Sequence, residues 1–71
     1  MTEQEAKKMK GKICVRSAGV IEIPCKILKV EGRMAVAHFP IGGEQKVDVA
    51  FLHEAEGWQE AMYRKHVQDG G

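Results

Sequence analysis

From Val20 to Val30 the chain reads Val-Ile-Glu-Ile-Pro-Cys-Lys-Ile-Leu-Lys-Val, its longest stretch dense in β-branched residues. Ile21, Ile23, Cys25 and Ile27 alternate with Glu22, Pro24 and Lys26, which predicts a long, half-buried strand at the centre of the fold. Lys12-Ile13-Cys14-Val15-Arg16 alternates in the same way and predicts a strand just before it. The two would be joined by Ser17-Ala18-Gly19, a hairpin loop whose last position suits the left-handed conformation open to Gly19. That loop opposes Val15 to Ile21 and Ile13 to Ile23, so Cys14 turns outward and Cys25 inward. Pro24 cannot donate a ladder hydrogen bond, and it predicts a bulge, a bend or a sheet edge at that point.

Glu31-Gly32-Arg33 reads as the next turn, and Met34-Ala35-Val36-Ala37-His38-Phe39 as a third strand. Pro40-Ile41-Gly42-Gly43 breaks the pattern as a loop, and Glu44-Gln45-Lys46-Val47-Asp48-Val49 resumes it as a fourth, more polar strand. From Phe51 the period lengthens to that of a helix, with Phe51, Ala55, Trp58 and Met62 on one face that should cover an opening of the sheet. Gly57 weakens a helix interior, so the helix could instead begin at Gly57-Trp58. At the other end Thr2 and Glu5 have the spacing of a capping box. Residues 1–11 are thus a short helix or a flexible basic arm, residues 12–67 the folded unit and residues 68–71 a tail.

A chain of 71 residues is one domain with a small core, and association with itself is a common remedy at this size. Hydrophobic residues at 44% and charged residues at 30% are the composition of a folded protein rather than a disordered one. No apolar run approaches the roughly 18 residues of a membrane span, and Met1-Thr2-Glu3-Gln4-Glu5 lacks the features of a signal peptide. The expectation is a cytoplasmic protein in which Cys14 and Cys25 are reduced thiols without a disulfide. Net charge is +1, yet residues 1–33 carry eight Lys and Arg against four acids, and residues 34–71 three against six.

That asymmetry points to Lys12, Arg16, Lys26 and Lys29, on the outward side of the strands, as a candidate basic face for an anionic partner. Aromatic residues at 6% leave few stacking platforms, so nucleic-acid binding there would be weak and sensitive to salt. A two-residue turn at Glu31-Gly32 would set Cys25 opposite His38, a thiol–imidazole pair of the kind used in nucleophiles and metal sites. Metal binding by Cys14, Cys25, His38, His53 and His66 is not expected, because ten or more residues separate each from the next, unlike the close pairs of zinc sites. No cofactor signature stands out. Gly42-Gly43 reads as an ordinary loop, and Glu54, Glu56 and Glu60 as the exposed side of a helix.

Two resemblances widen the picture. The terminal Gly70-Gly71 is similar to the diglycine of small ubiquitin-like sulfur carriers, although here the order is strands first and helix last. Ile23-Pro24, Lys26-Ile27, Gly32, Ala35-Val36, Phe39, Gly42-Gly43, Val47 and Leu52 resemble the strand core of HypC-type hydrogenase-maturation chaperones and of SH3-like small barrels. That family's functional cysteine follows the initiator Met, whereas here Thr2 follows Met1 and Cys14 lies ten positions before Pro24, so the resemblance implies the barrel and not the cysteine chemistry. The fold class expected is mainly β with a C-terminal helix (α+β), as a strongly bent antiparallel sheet or a partly open SH3-like or OB-like barrel of four to five strands. With no acid–base constellation in view, the expected function is a non-catalytic binding or adaptor module for a protein partner. A weak nucleic-acid binder, a HypC-like maturation chaperone and a sulfur carrier are the alternatives.

Overall fold

The computed structural model describes residues 1–69. Five antiparallel strands, β1 (Ile13–Ala18), β2 (Ile21–Glu31), β3 (Met34–Phe39), β4 (Gly43–Asp48) and β5 (Leu52–Glu54), form one unclosed sheet in the order β4-β3-β2-β1-β5. Two helices, α1 (Glu3–Lys8) and α2 (Gly57–Asp69), flank it. The fold is therefore the α+β class that the alternating pattern implies. Gln68 and Asp69, expected as tail, extend α2, and Gly70-Gly71 lies outside the described residues.

β2 is the central strand, and its length lets it serve two neighbours. Its ladder to β1 spans Ile21–Lys26, whereas its ladder to β3 begins only at Lys26 and continues to Glu31. Pro24, opposite Val15 of β1, thus sits where the β3 side of the strand is an open edge. The bulge lies further on, between Ile27 and Lys29. An extra residue there reverses the alternation, so Cys25 and Ile27 face the core before it and Val30 packs on the core after it.

The first hairpin departs from the expected register. Gly19 has φ +65°, but it occupies the first central position of a two-residue turn, with Ala18 opposite Ile21. Glycine with positive φ at that position is the requirement of a type II′ turn, whose twist matches that of the strands. The pairing consequently places Cys14 opposite Cys25 and Ile13 opposite Lys26. Cys14 is fully buried in the core rather than exposed, and both thiols are free.

The core lies on one face of the sheet, built from Cys14, Cys25, Ile27, Ala35, Ala37, Phe39, Val47, Val49 and Leu52. α1 closes it with Ala6, which has no exposed surface. Its capping box forms in both directions: Glu5 N donates to Thr2 Oγ1 at 3.2 Å and Thr2 N donates to Glu5 Oε1 at 3.0 Å. The Met1 ammonium donates to Leu52 O at 3.1 Å, and Met1 and Met9 pack on the core, so this segment is a docked helix and not a free arm.

The expected helical face beginning at Phe51 is overturned. Asp48 Oδ1 accepts from Ala50 N at 2.9 Å and starts a 3-10 turn, Val49–Phe51, from which Leu52–Glu54 pairs with β1 as a fifth strand. Phe51 is 56% exposed and Trp58 59%. α2 starts at Gly57 and buries Gln59 and Tyr63 instead.

Candidate functional site

α2 lies over β1 and β2 on the face opposite the core, and its phase divides that surface in two. Gln59 and Tyr63, one turn apart, point down onto the sheet. Gln59 Oε1 accepts from Glu56 N at 2.8 Å while its Nε2 donates to Glu22 Oε2 at 3.1 Å. The Tyr63 hydroxyl bonds His38 Nδ1 at 2.8 Å, with the two rings edge to face. Burial raises the Tyr63 phenol, and the nearby Cys25 adds to the effect. Polar anchors of this kind fix a helix's rotation because a quarter turn would leave each of them buried without a partner.

On one flank, Glu60, Arg64 and Val67 face Gly11, Lys12, Ile13 and Lys26 across a cleft of about 380 Å³. Three cations and one carboxylate border it, and among the described residues none of Lys12, Lys26 or Arg64 is in an ion pair.

On the other flank, Met62 and His66 face the open edge of β2. Here Glu22, Ile23 and Pro24 look across to Phe39, Pro40 and Ile41 at the β3–β4 turn, enclosing a second groove of about 380 Å³ that is mainly apolar. Arg16 also lines it. Arg16 alternates with Val15 on β1 and so belongs to the core face with Cys14, between Ile23 and Leu52 in the register. Its Nε is buried with no hydrogen-bond partner, and its guanidinium enters no ion pair among the described residues. A buried donor left unpaired costs about 1–3 kcal/mol, so its retention in an apolar groove calls for an explanation.

The basic face is accordingly divided. Lys12 and Lys26 share the cleft with Arg64, a residue the strand pattern alone did not place. Arg16 lies in the other groove, through the sheet. Lys29 pairs with Glu31 at 2.5 Å, which raises the lysine and lowers the carboxyl below its usual range.

The Cys25–His38 pair is also undone. The two-residue turn falls at Gly32-Arg33, with Glu31 opposite Met34, and not at Glu31-Gly32; together with the bulge this puts His38 opposite Lys26 and not Cys25, and a one-residue slip exchanges faces. His38 consequently turns to Tyr63 on the face opposite the core, and Cys25 to the core. Burial pushes the Cys14 thiol up to about 11 and the Cys25 thiol up to about 12. Thiols in that range are neutral and inert at neutral pH.

One arrangement escaped sequence reasoning. His53 Nε2 lies 2.7 Å from Ser17 Oγ and 3.7 Å from Glu22 Oε1, and His53 Nδ1 is 3.1 Å from Glu54 O. A single serine offers no spacing to search for, and these residues meet only because Val15 aligns β5 with β1. In a catalytic triad the carboxylate holds the ring nitrogen that does not face serine, but Glu22 approaches the same Nε2 as Ser17. Neither cleft reaches the pair. Its chemistry is that of a polar clasp holding β5 to the first hairpin.

Among the described residues no group of three or more His, Cys, Asp or Glu is arranged to hold a metal ion, and no helix is long and apolar enough to cross a membrane. No family model matches the chain, and no curated protein and no solved structure matches it either.

Proposed function

We propose that this chain is a non-catalytic binding module that docks a protein partner in the apolar groove between the open edge of β2 and the β3–β4 turn. The observation that carries this reading is Arg16, a guanidinium with a buried, unpartnered Nε in a groove whose apolar lining is Ile23, Pro24, Phe39, Pro40, Ile41 and Met62 and whose other polar side chains are Glu22, Gln45 and His66. Ile41 is 86% exposed and Met62 41%, apolar surface that a partner would remove from water. The inert state of both thiols and the geometry of the Ser17–His53 pair favour binding over catalysis. The four-strand meander β1–β4, with β5 returning to pair with β1, supports an SH3-like reading of the fold, an architecture that hosts many binding functions.

Selecting a random peptide library against the immobilised domain, followed by amide chemical-shift mapping, tests the proposal. Enriched peptides are expected to shift Ile23, Phe39, Ile41 and Met62. Enrichment of none, or shifts confined to the Lys12–Lys26–Arg64 cleft, rejects it. A second reading, weak binding of single-stranded nucleic acid, is favoured by the unpaired cations around the Lys12–Lys26–Arg64 cleft. That reading expects shifts at Gly11, Lys12 and Arg64 which fade as salt rises.

A further inference from the structure

Resting on the binding-module reading, we infer that the partner is an extended, acidic peptide segment that adds to β2 as a further strand and sets a carboxylate on Arg16. Gly11 N donates to Ile27 O and Ile27 N to Lys12 O, so Ile27 turns its backbone groups toward β1. With the period of two along a strand, Cys25 and Ile23 do the same, while Glu22 and Pro24 turn theirs to the opposite side. On that side the β3 ladder starts only at Lys26. Glu22 N–H, Glu22 C=O and Pro24 C=O therefore line an open edge, and among the described residues no loop or helix backbone bonds to them.

Beyond Phe39 the chain leaves the line of β3 through Pro40, Ile41 and Gly42, and the groove occupies the space a continuing strand would have filled. An added strand would find three backbone groups to pair with and Ile23, Phe39 and Ile41 for its apolar side chains, the combination by which sheet edges capture extended peptides. Pro24 has no N–H to offer, which limits the ladder to a short register and discourages open-ended edge pairing.

Charge selects the occupant. Glu22, the groove's carboxylate, is already held by Gln59 and lies near His53. Arg16 remains as its cationic group, and an arginine in an apolar setting recognises carboxylates through paired donors. A second copy of this chain fits poorly. Edge-to-edge pairing about a twofold axis would bring two Pro24 rings and two Glu22 carboxylates together.

The test uses the full chain and a blocked heptapeptide of alternating valine and aspartate, with a valine–lysine heptapeptide as control. The acidic peptide is expected to shift Glu22, Ile23 and Phe39 and to slow hydrogen exchange at the Glu22 amide at least about tenfold, while the lysine peptide does neither. Arg16→Met removes the orphaned donor, so its melting temperature should equal or exceed the parent's, while its affinity for the acidic peptide falls about tenfold or more. A lowered melting temperature with unchanged affinity would make Arg16 structural and overturn the inference. Binding in the groove with Glu22 unprotected overturns strand addition yet leaves the binding module standing. Equal binding of both peptides, no binding of the acidic one, or self-association that an Ile23→Asp substitution abolishes each overturns it as well.

Discussion

At the scale of single residues, the two cysteines show how position decides chemistry. Both would be ordinary thiols with pKa 9.0 in a solvated chain, and burial in the core moves them to about 11 and about 12. For an acid raised by folding, the native state holds its proton more tightly than the unfolded state. Its contribution is therefore complete below pH 9.0 and is lost as pH rises toward the folded value. Unfolding free energy should fall above about pH 9 by up to ~1.4 kcal/mol per pH unit for each thiol. Urea titrations across that interval check this against Cys14→Ala/Cys25→Ala, which should show a shallower decline. Equal slopes in parent and variant would mean that the thiols are not desolvated in solution. Trp58 makes the opposite point. Though large and apolar, it is 59% exposed and donates from Nε1 to Glu56 Oε2 at 2.6 Å, so Trp58→Ala should change stability by no more than about 0.5–1 kcal/mol. A loss of several kcal/mol in thermal unfolding would place that ring in the core.

At the scale of elements, α2 is held by polar groups more than by an apolar stripe. The residue it buries most deeply, at 4% exposure, is Gln59, which both caps the helix through Glu56 N and reaches Glu22 on β2. Gln59→Leu would fill similar space but leave the Glu56 N–H and the Glu22 carboxylate without these partners. It should cost about 1–3 kcal/mol, and amide exchange should be fastest across α2 if the helix loosens there first. Tyr63→Phe removes only one hydroxyl, beside a half-buried His38 that water can reach, so about 0.5–1.5 kcal/mol is expected. A larger cost for Tyr63→Phe than for Gln59→Leu would assign the anchor to the wrong residue. The consequence for function is direct, because the rotation fixed by these two contacts sends Arg64 to one cleft and Met62 to the other.

For the whole molecule, one strand carries two sheet halves. β2 pairs with β1 along its first six residues and with β3 along its last, sharing little more than Lys26. The two ladders hand over at Lys26, and each leaves an open edge on its half of β2. Ile27 stands beside that handover, fully buried. Ile27→Ala should cost about 2–5 kcal/mol, a large share of the stability of a chain this short, and denaturant unfolding should show a lower midpoint. A midpoint unchanged from the parent would mean that the two halves are stabilised independently of the residue at their handover.

The alternation from Val20 to Val30, the helix breaker Gly57 and the Thr2–Glu5 spacing are local signals, and the strand, the helix start and the cap they imply all exist because each arises within a few residues of chain. Pro24 likewise marked a discontinuity through its missing donor, and the structure makes it an edge. Register was not local. Whether Gly19 ends a three-residue loop or opens a two-residue turn changes which residues oppose one another, and that choice was decided by burying Cys14 with Cys25 and covering Ile13 and Val15 with α2. The turn at Gly32-Arg33 and the bulge after Ile27 together separated Cys25 from His38, and one inserted residue reverses faces without leaving a mark in composition. The burial of Gln59 in place of Trp58, the meeting of Ser17 with His53, and the stranding of Arg16 in an apolar groove depend on partners 36 or more residues apart or across the sheet. Side-chain chemistry is written in the sequence, but which groups face each other is set by the packing of the whole chain.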